Sequence, residues 1–285
     1  MRPYVVLAAI LTLTNLASRG QQAPAFRSSV DVVPVYATVT NTDGSFARDL
    51  VKDDFTVLDD AKPQDISTFS SDAQAISVSV VLDTSGSMAE SLPRVFRAAS
   101  TFLDQLTADD RAMVGSLMYV GPPFTSDKAR LRTSLDLLPR DPSSPVWAAL
   151  DRSLTTLAVE RNRPVIVIYT DGQNADRSRI QVKRSQLLPR VESGSVMVYA
   201  IGFEGVSISK DMKNIATRSG GRATELRATD DLASALTAVA DELHHQYLLG
   251  FTPKVFDGKI HKLEVRVAKP GLIVRARQSY QAVKR

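Results

Sequence analysis

The 285-residue sequence has no cysteine. Disulfides, thiol nucleophiles, cysteine-ligated zinc and iron–sulfur clusters are therefore excluded. An exported chain of this size with an adequate core does not need disulfide staples. Histidine is scarce as well, at three residues, all late in the chain. None falls in a strand-end loop of the central region, so no Ser/His/Asp set is apparent. The single tryptophan, Trp147, reads as packing between a helix and a sheet. No long block of one charge sign occurs among 35 basic and 31 acidic residues, and the formal charge is +4. That balance argues against nucleic acid or an anionic membrane surface as a partner, since both call for clustered Lys and Arg.

Long hydrophobic runs are also lacking, with one exception. Arg2 precedes "PYVVLAAILTLTNLA", and small residues follow in "SRGQQAPA". A basic start, a short apolar centre and small residues near a cut site describe a secretory signal peptide over residues 1–20. Cleavage is expected after Gly20, with Ala23 as the alternative. The run is short for a membrane span, and an uncleaved anchor is the competing reading. The expected location is outside the cytoplasm: periplasmic, cell-surface or secreted, with no span left after cleavage.

The remaining chain divides by rhythm. Residues 24–75 contain alternating β-branched stretches, "VDVVPVYATVTN" and "DFTVLDDAKPQDISTF", separated by a turn at "TDGS". Residues 76–246 alternate apolar strands with amphipathic helices. The strands are "AISVSVVLD", "RAMVGSLMYV", "RPVIVIYTD", "SVMVYAIGF" and "GRATEL". In "LPRVFRAASTFLDQL", Val95, Phe96, Ala99, Phe102, Leu103 and Leu106 share a face. Thr229, Asp230 and Asp231 form a candidate cap for the last helix. Residues 247–285 return to strands, with "HKLEVRVA" and "LIVRARQSYQAV" reading as a hairpin around "KPG". The pattern predicts an α/β fold, a doubly wound, mostly parallel sheet covered by helices on both faces. The two terminal β segments are too small to stand alone. They are expected to pair into one small β-sandwich that carries the α/β domain as an insertion.

The chemistry concentrates in "SVSVVLDTSGSMAES", Ser77 to Ser91. In an open parallel sheet ligands bind at the carboxyl ends of strands. Asp83 closes one apolar strand and Asp171 closes another, so both carboxylates are expected at that edge. Ser85 and Ser87 follow Asp83 directly, with Gly86 allowing the bend. Carboxylates and hydroxyls without sulfur or imidazole suit Mg²⁺, or Mn²⁺ or Ca²⁺, and not a soft metal. The plainer reading of Asp83-Ser85-Ser87 is a helix-capping turn, and of Asp171-Gly172 a β-turn. "DGQNAD" lacks the spacing and terminal glutamate of a calcium loop. Adjacent His244 and His245 point apart on a helix end and suit its dipole better than a shared zinc.

"DTSGSM" after an apolar strand, with "YTDG" ending a later one, resembles the metal-ion-dependent adhesion site of von Willebrand factor type A domains. The resemblance covers about residues 76 to 246. In that family a third element, usually a threonine, falls in a loop before a helix; "DPSSPVWAALDRSL" occupies that place and puts Ser144 at the threonine position, with Ser143 the alternative. Serine keeps the hydroxyl but loses the methyl that fixes the rotamer. The resemblance implies direct metal ligation by Ser85 and Ser87. It gives Asp83 and Asp171 the task of holding waters, and Ser144 ligation directly or through water. The flanking "DF.V.DD" and "VRARQSY" stretches resemble exported bacterial proteins of this type.

The resemblance implies a metal-dependent protein–protein interaction or adhesion module whose cation receives an Asp or Glu from a partner protein. Two other classes compete. A structural envelope-assembly protein with a non-functional metal site is one. A metal-dependent hydrolase is the other, but a phosphoryl-transfer enzyme needs a second carboxylate two residues after the strand-end aspartate, and Ser85 stands there. The chain is accordingly expected not to be an enzyme.

Overall fold

The computed structural model describes residues 32–170, 182–203, 205–227 and 232–284. The signal segment 1–20, Asp171 with the rest of "DGQNAD", and the Thr229–Asp231 cap lie outside the described residues. Four strands come first: β1 (Val33–Thr40), β2 (Phe55–Asp59), β3 (Lys62–Gln64) and β4 (Ile66–Ser70). The alternating region follows as β5 (Ile76–Leu82), α1 (Leu92–Gln105), β6 (Arg111–Ser116), α2 (Lys128–Asp136), α3 (Val146–Leu157) and β7 (Arg163–Thr170). It continues through α4 (Arg184–Ser193), β8 (Met197–Gly202), α5 (Lys210–Arg218), β9 (Ala223–Glu225) and α6 (Leu232–His244). The chain closes with β10 (Tyr247–Phe251), β11 (Ile260–Val267), β12 (Ile273–Ala276) and β13 (Ser279–Gln281).

Strands β5 and β8 are buried along their whole length, as near-continuous aliphatic runs require when both sheet faces are covered. The central sheet is parallel throughout, in the order β6-β5-β7-β8-β9. Val78, Val80 and Leu82 of β5 join α1 and α6 in a core on one face. Val81, with Ile166 and Ile168 of β7, joins α3, α4 and α5 on the other. Ser77 and Ser79 point to this second face without cost. Their hydroxyls meet Glu160 at 2.9 Å and Ser153 at 3.0 Å, so no buried polar atom is stranded there. In α1, Leu92, Val95, Phe102 and Leu103 are buried, each contributing roughly 1.5–3 kcal/mol.

The terminal segments interleave in two four-stranded antiparallel sheets, β12-β1-β10-β4 and β13-β11-β2-β3. Each mixes strands from before and after the α/β region, in agreement with the expected insertion of that region into a sandwich. Val35, Phe55, Val57, Leu249, Phe251, Leu263 and Tyr280 fill the space between the sheets.

Two local expectations are corrected. "LIVRARQSYQAV" does not form one arm of a hairpin: β12 pairs with β1 in one sheet, and β13 pairs with β11 in the other. The crossing occurs at Arg277 and Gln278, where the end of α5 docks. The Gln278 amide donates to the Arg218 carbonyl at 3.0 Å. Gly220, in the left-handed region at φ +86°, approaches so closely that a Cβ would lie 2.6 Å from the Arg277 nitrogen. Residue alternation is the same on both sides of the crossing, so the pattern cannot reveal it. "RAMVGSLMYV" is also shorter than expected, ending at Ser116. The chain then doubles back, and Gly121 passes so near β6 that a Cβ would meet the Val114 carbonyl oxygen at 1.8 Å. Met118, Tyr119 and Val120 are thereby left exposed.

Buried polar side chains join sandwich and α/β region. Glu242 of α6 accepts from Thr38 of β1 and Tyr199 of β8, and pairs with Arg275 of β12 at 2.6 Å. Arg163 donates to Gln246 at 2.6 Å and lies 4.5 Å from the centre of the Tyr36 ring. Glu242 and Arg275 neutralise each other, and Arg163 is held by hydrogen bonds to Gln246 and the Leu243 carbonyl, which limits the cost of burying them.

Candidate functional site

Counted within the α/β region, the strand order is 2-1-3-4-5, with the reversal between β5 and β7. Ligands of such sheets bind at the carboxyl ends beside that reversal. Leu82, the last residue of β5, lies opposite Ser116 of β6 and Tyr169 of β7. The Asp83 amide donates to the Tyr169 carbonyl at 2.9 Å, which carries Asp83 one residue beyond the strand at the reversal point. Its carboxylate is fully buried. One oxygen accepts from the Ser85 amide and the other from the Thr170 hydroxyl, both at 3.0 Å.

Ser85 opens a short 3₁₀ turn, Gly86–Met88, but its side chain makes no capping hydrogen bond. Its hydroxyl instead lies 3.2 Å from that of Ser87. Ser85 is buried and Ser87 exposed, so the pair spans the passage from interior to solvent. A plain capping turn would have consumed the Ser85 oxygen.

The loop before α3 lies against this turn. The Thr84 hydroxyl donates to the Pro139 carbonyl at 2.8 Å, and Ser85 forms a parallel bridge with Asp141. Ser144 is buried, and its carbonyl accepts from the Val146 amide. Its hydroxyl has no hydrogen-bond partner among the described residues. Ser143 turns elsewhere, its hydroxyl 3.4 Å from the Met118 sulfur. Asp171 follows Thr170 in sequence and lies outside the described residues.

Three neighbours were not among the sequence candidates: Asp141, Ser116 and Thr170. Asp141 is buried. One of its oxygens accepts from the Ser116 hydroxyl at 2.8 Å, and the other, Oδ2, has no partner among the described residues. The visible signal for Asp141 was an acid at the start of the loop, three residues before Ser144. Ser116 and Thr170 are hydroxyls at strand ends and carry no motif.

This donor set fits a hard divalent cation. The hydroxyls of Ser85 and Ser87 are within reach of one ion, and all the donors are oxygen. A buried carboxylate oxygen left without a proton donor is costly unless a cation or water meets it. The chemistry available is coordination. Among the described residues, the one group of three His, Asp or Glu side chains close enough to hold a metal is Asp59, Asp60 and His261, in the sandwich.

The family model of the von Willebrand factor type A domain matches residues 77–238, more than half of the chain. The chain belongs to the von Willebrand factor type A domain family. It is similar in structure to a von Willebrand factor type A protein from Catenulispora acidiphila, at 11% identity and a TM-score of 0.51, over 90% of this chain and 74% of that one. It is similar also to proximal thread matrix protein 1 of the mussel byssus, at 15% identity and a TM-score of 0.50. That match covers 72% of this chain and 50% of the mussel protein, so the chain spans half its length. A third similar structure is the conserved hypothetical protein BatB from Bacteroides thetaiotaomicron, at 18% identity and a TM-score of 0.47, over 59% and 97% of the two chains. At these identities the first two likenesses concern the fold alone. No curated protein matches the chain.

Proposed function

We propose that this chain is an exported protein-interaction module whose strand-end site holds Mg²⁺, or Mn²⁺ or Ca²⁺, and receives an Asp or Glu from a partner protein. Ser85 and Ser87 would ligate the ion directly. Asp83 and Asp171 would orient the hydroxyls and hold waters, and Ser144 would complete the set. Asp141 would add negative potential through the oxygen that meets no donor among the described residues. When bound, the ion supplies an electrophilic face that a carboxylate can complete.

The single observation that carries this reading is the Ser85 hydroxyl, not spent on capping and 3.2 Å from that of Ser87, beside buried Asp83 at the sheet reversal. Asp83 keeps Ser85 in place through its amide. Membership of the family supports an interaction role over catalysis. The rim supports a protein partner. Met118, Tyr119 and Val120 are exposed next to the site loop, which Met118 touches through Ser143, and exposed apolar groups beside a polar centre suit protein contact. Export is inferred from residues 1–20. Among the described residues no helix is long and apolar enough to cross a membrane.

The test is thermal unfolding with and without millimolar Mg²⁺ or Mn²⁺. Wild type should melt higher with metal and Asp83→Ala should not, while both retain the same fold without metal. A metal-induced rise that survives in Asp83→Ala would refute the site. No rise in wild type would favour a structural role with a non-functional site.

A further inference from the structure

Away from the sheet edge, the β-sandwich gathers His261 of β11, Asp59 at the end of β2, Asp60 of the β2–β3 turn and Asp257 of the preceding loop. His261 and Asp59 are 8% and 6% exposed, whereas the Asp60 side chain is open to solvent. His261 Nδ1 faces Asp59 Oδ1 at 3.0 Å and Asp60 Oδ2 at 3.1 Å. One nitrogen therefore meets two carboxylate oxygens at once, and all three atoms lie within 4.8 Å of one another. A tetrahedral zinc with bonds of about 2.0–2.1 Å holds its ligand atoms about 3.3 Å apart.

Each donor is oriented from outside the triangle. Asp59 Oδ2 accepts from the buried Tyr280 hydroxyl at 2.9 Å, leaving Oδ1 to face the imidazole. Asp60 Oδ1 accepts from the Lys262 amide at 3.0 Å, leaving Oδ2. His261 Nε2 lies 3.2 Å from Asp257 Oδ1. That last contact is the carboxylate–histidine arrangement that fixes the tautomer of a metal-bound imidazole.

Charge gives an independent reason. Among the described residues no Lys or Arg pairs with Asp59 or Asp60, and Lys259 stands near Asp257 only, at 3.7 Å. A protonated His261 leaves this group short of positive charge. A divalent ion with a neutral imidazole balances Asp59 and Asp60 completely, and the exposed Asp60 side provides entry.

We propose that Asp59, Asp60 and His261 form a second metal site, selective for a borderline divalent ion such as Zn²⁺ through its nitrogen ligand, with Asp257 and Tyr280 as positioning residues. The site is independent of the strand-end reading. The test uses the full chain carrying Asp83→Ala, stripped with chelator and titrated with Zn²⁺ by calorimetry. Imidazole ¹⁵N resonances are followed in the same protein.

One equivalent should bind, with His261 Nδ1 shifting to a metal-bound value. Adding Asp60→Asn, an exposed and isosteric change that preserves the fold, should weaken binding at least tenfold. Asp257→Asn should weaken it about tenfold. Absence of saturable binding, an unmoved His261 resonance, or unchanged affinity in Asp60→Asn would overturn the proposal. An unchanged affinity with shifts at His244 or His245 would place the ion on α6.

Discussion

The two edges of the parallel sheet treat their carboxylates differently. At the amino edge acids meet basic partners: Asp110 lies 2.9 Å from His244 Nε2, and Glu160 pairs with Arg111 at 3.1 Å. Asp110 also accepts from the Ile76 and Thr107 amides. At the carboxyl edge Asp83 takes an amide and a hydroxyl, and Asp141 takes a hydroxyl and keeps one oxygen without a partner among the described residues. Similar residues on the same sheet thus serve two ends. The amino edge is neutralised internally and contributes to stability, while the carboxyl edge carries the proposed cation site.

Four changes probe that contrast, in order of falling effect. Metal binding comes first: at a Mg²⁺ concentration a hundredfold above Kd, wild type should gain about 2.7 kcal/mol. For a chain of this length that is a rise of roughly 5–10 °C in Tm. Asp83→Ala should lose the whole rise, as calorimetry with and without Mg²⁺ will report.

Next is Asp110. Burial pushes its carboxyl upward, but hydrogen bonds from His244, Ile76 and Thr107 outweigh that and hold it at about 2. Its folded pKa therefore lies below the unfolded value. The stability it confers, about 2 kcal/mol, is present above pH 4 and disappears as pH falls toward 2. Asp110→Asn should lower stability at pH 7 by that order and flatten the acid limb of the stability curve, measured by urea unfolding across pH. The Mg²⁺-induced rise should be unchanged. If Asp110→Asn abolished that rise, the division between the edges would fail.

Ser144→Ala should weaken metal binding about tenfold, the loss of one hydroxyl donor, and Ser144→Thr should restore it; titration calorimetry distinguishes the three proteins. Smallest in stability terms is Tyr119→Ala at the exposed rim, expected within about 0.5 kcal/mol of wild type. It should leave metal affinity intact and weaken capture of an acidic partner, read as a pull-down with and without chelator.

The same contrast explains what was legible in the sequence. Asp83, Ser85 and Ser87 stand within five consecutive residues after an apolar run, so one turn brings them together. The parallel sheet was equally visible, because aliphatic strands such as "ISVSVVL" can be buried only between layers. Asp141 and Ser116 become neighbours through contact between a loop and a strand end 25 residues apart in sequence, which no local pattern encodes. His261 and Asp59 are 202 residues apart and meet only because strands from both ends of the chain pair in one sheet. The crossing at Arg277 was hidden for a similar reason. Its cause is the approach of α5 through Gly220, not anything in the strand itself.

The most direct measurement is a crystal of the chain soaked in Mn²⁺ and examined for anomalous scattering. A peak is expected within bonding distance of both the Ser85 and Ser87 hydroxyls at the carboxyl edge. No peak there, with Mn²⁺ bound only elsewhere or not at all, would contradict it.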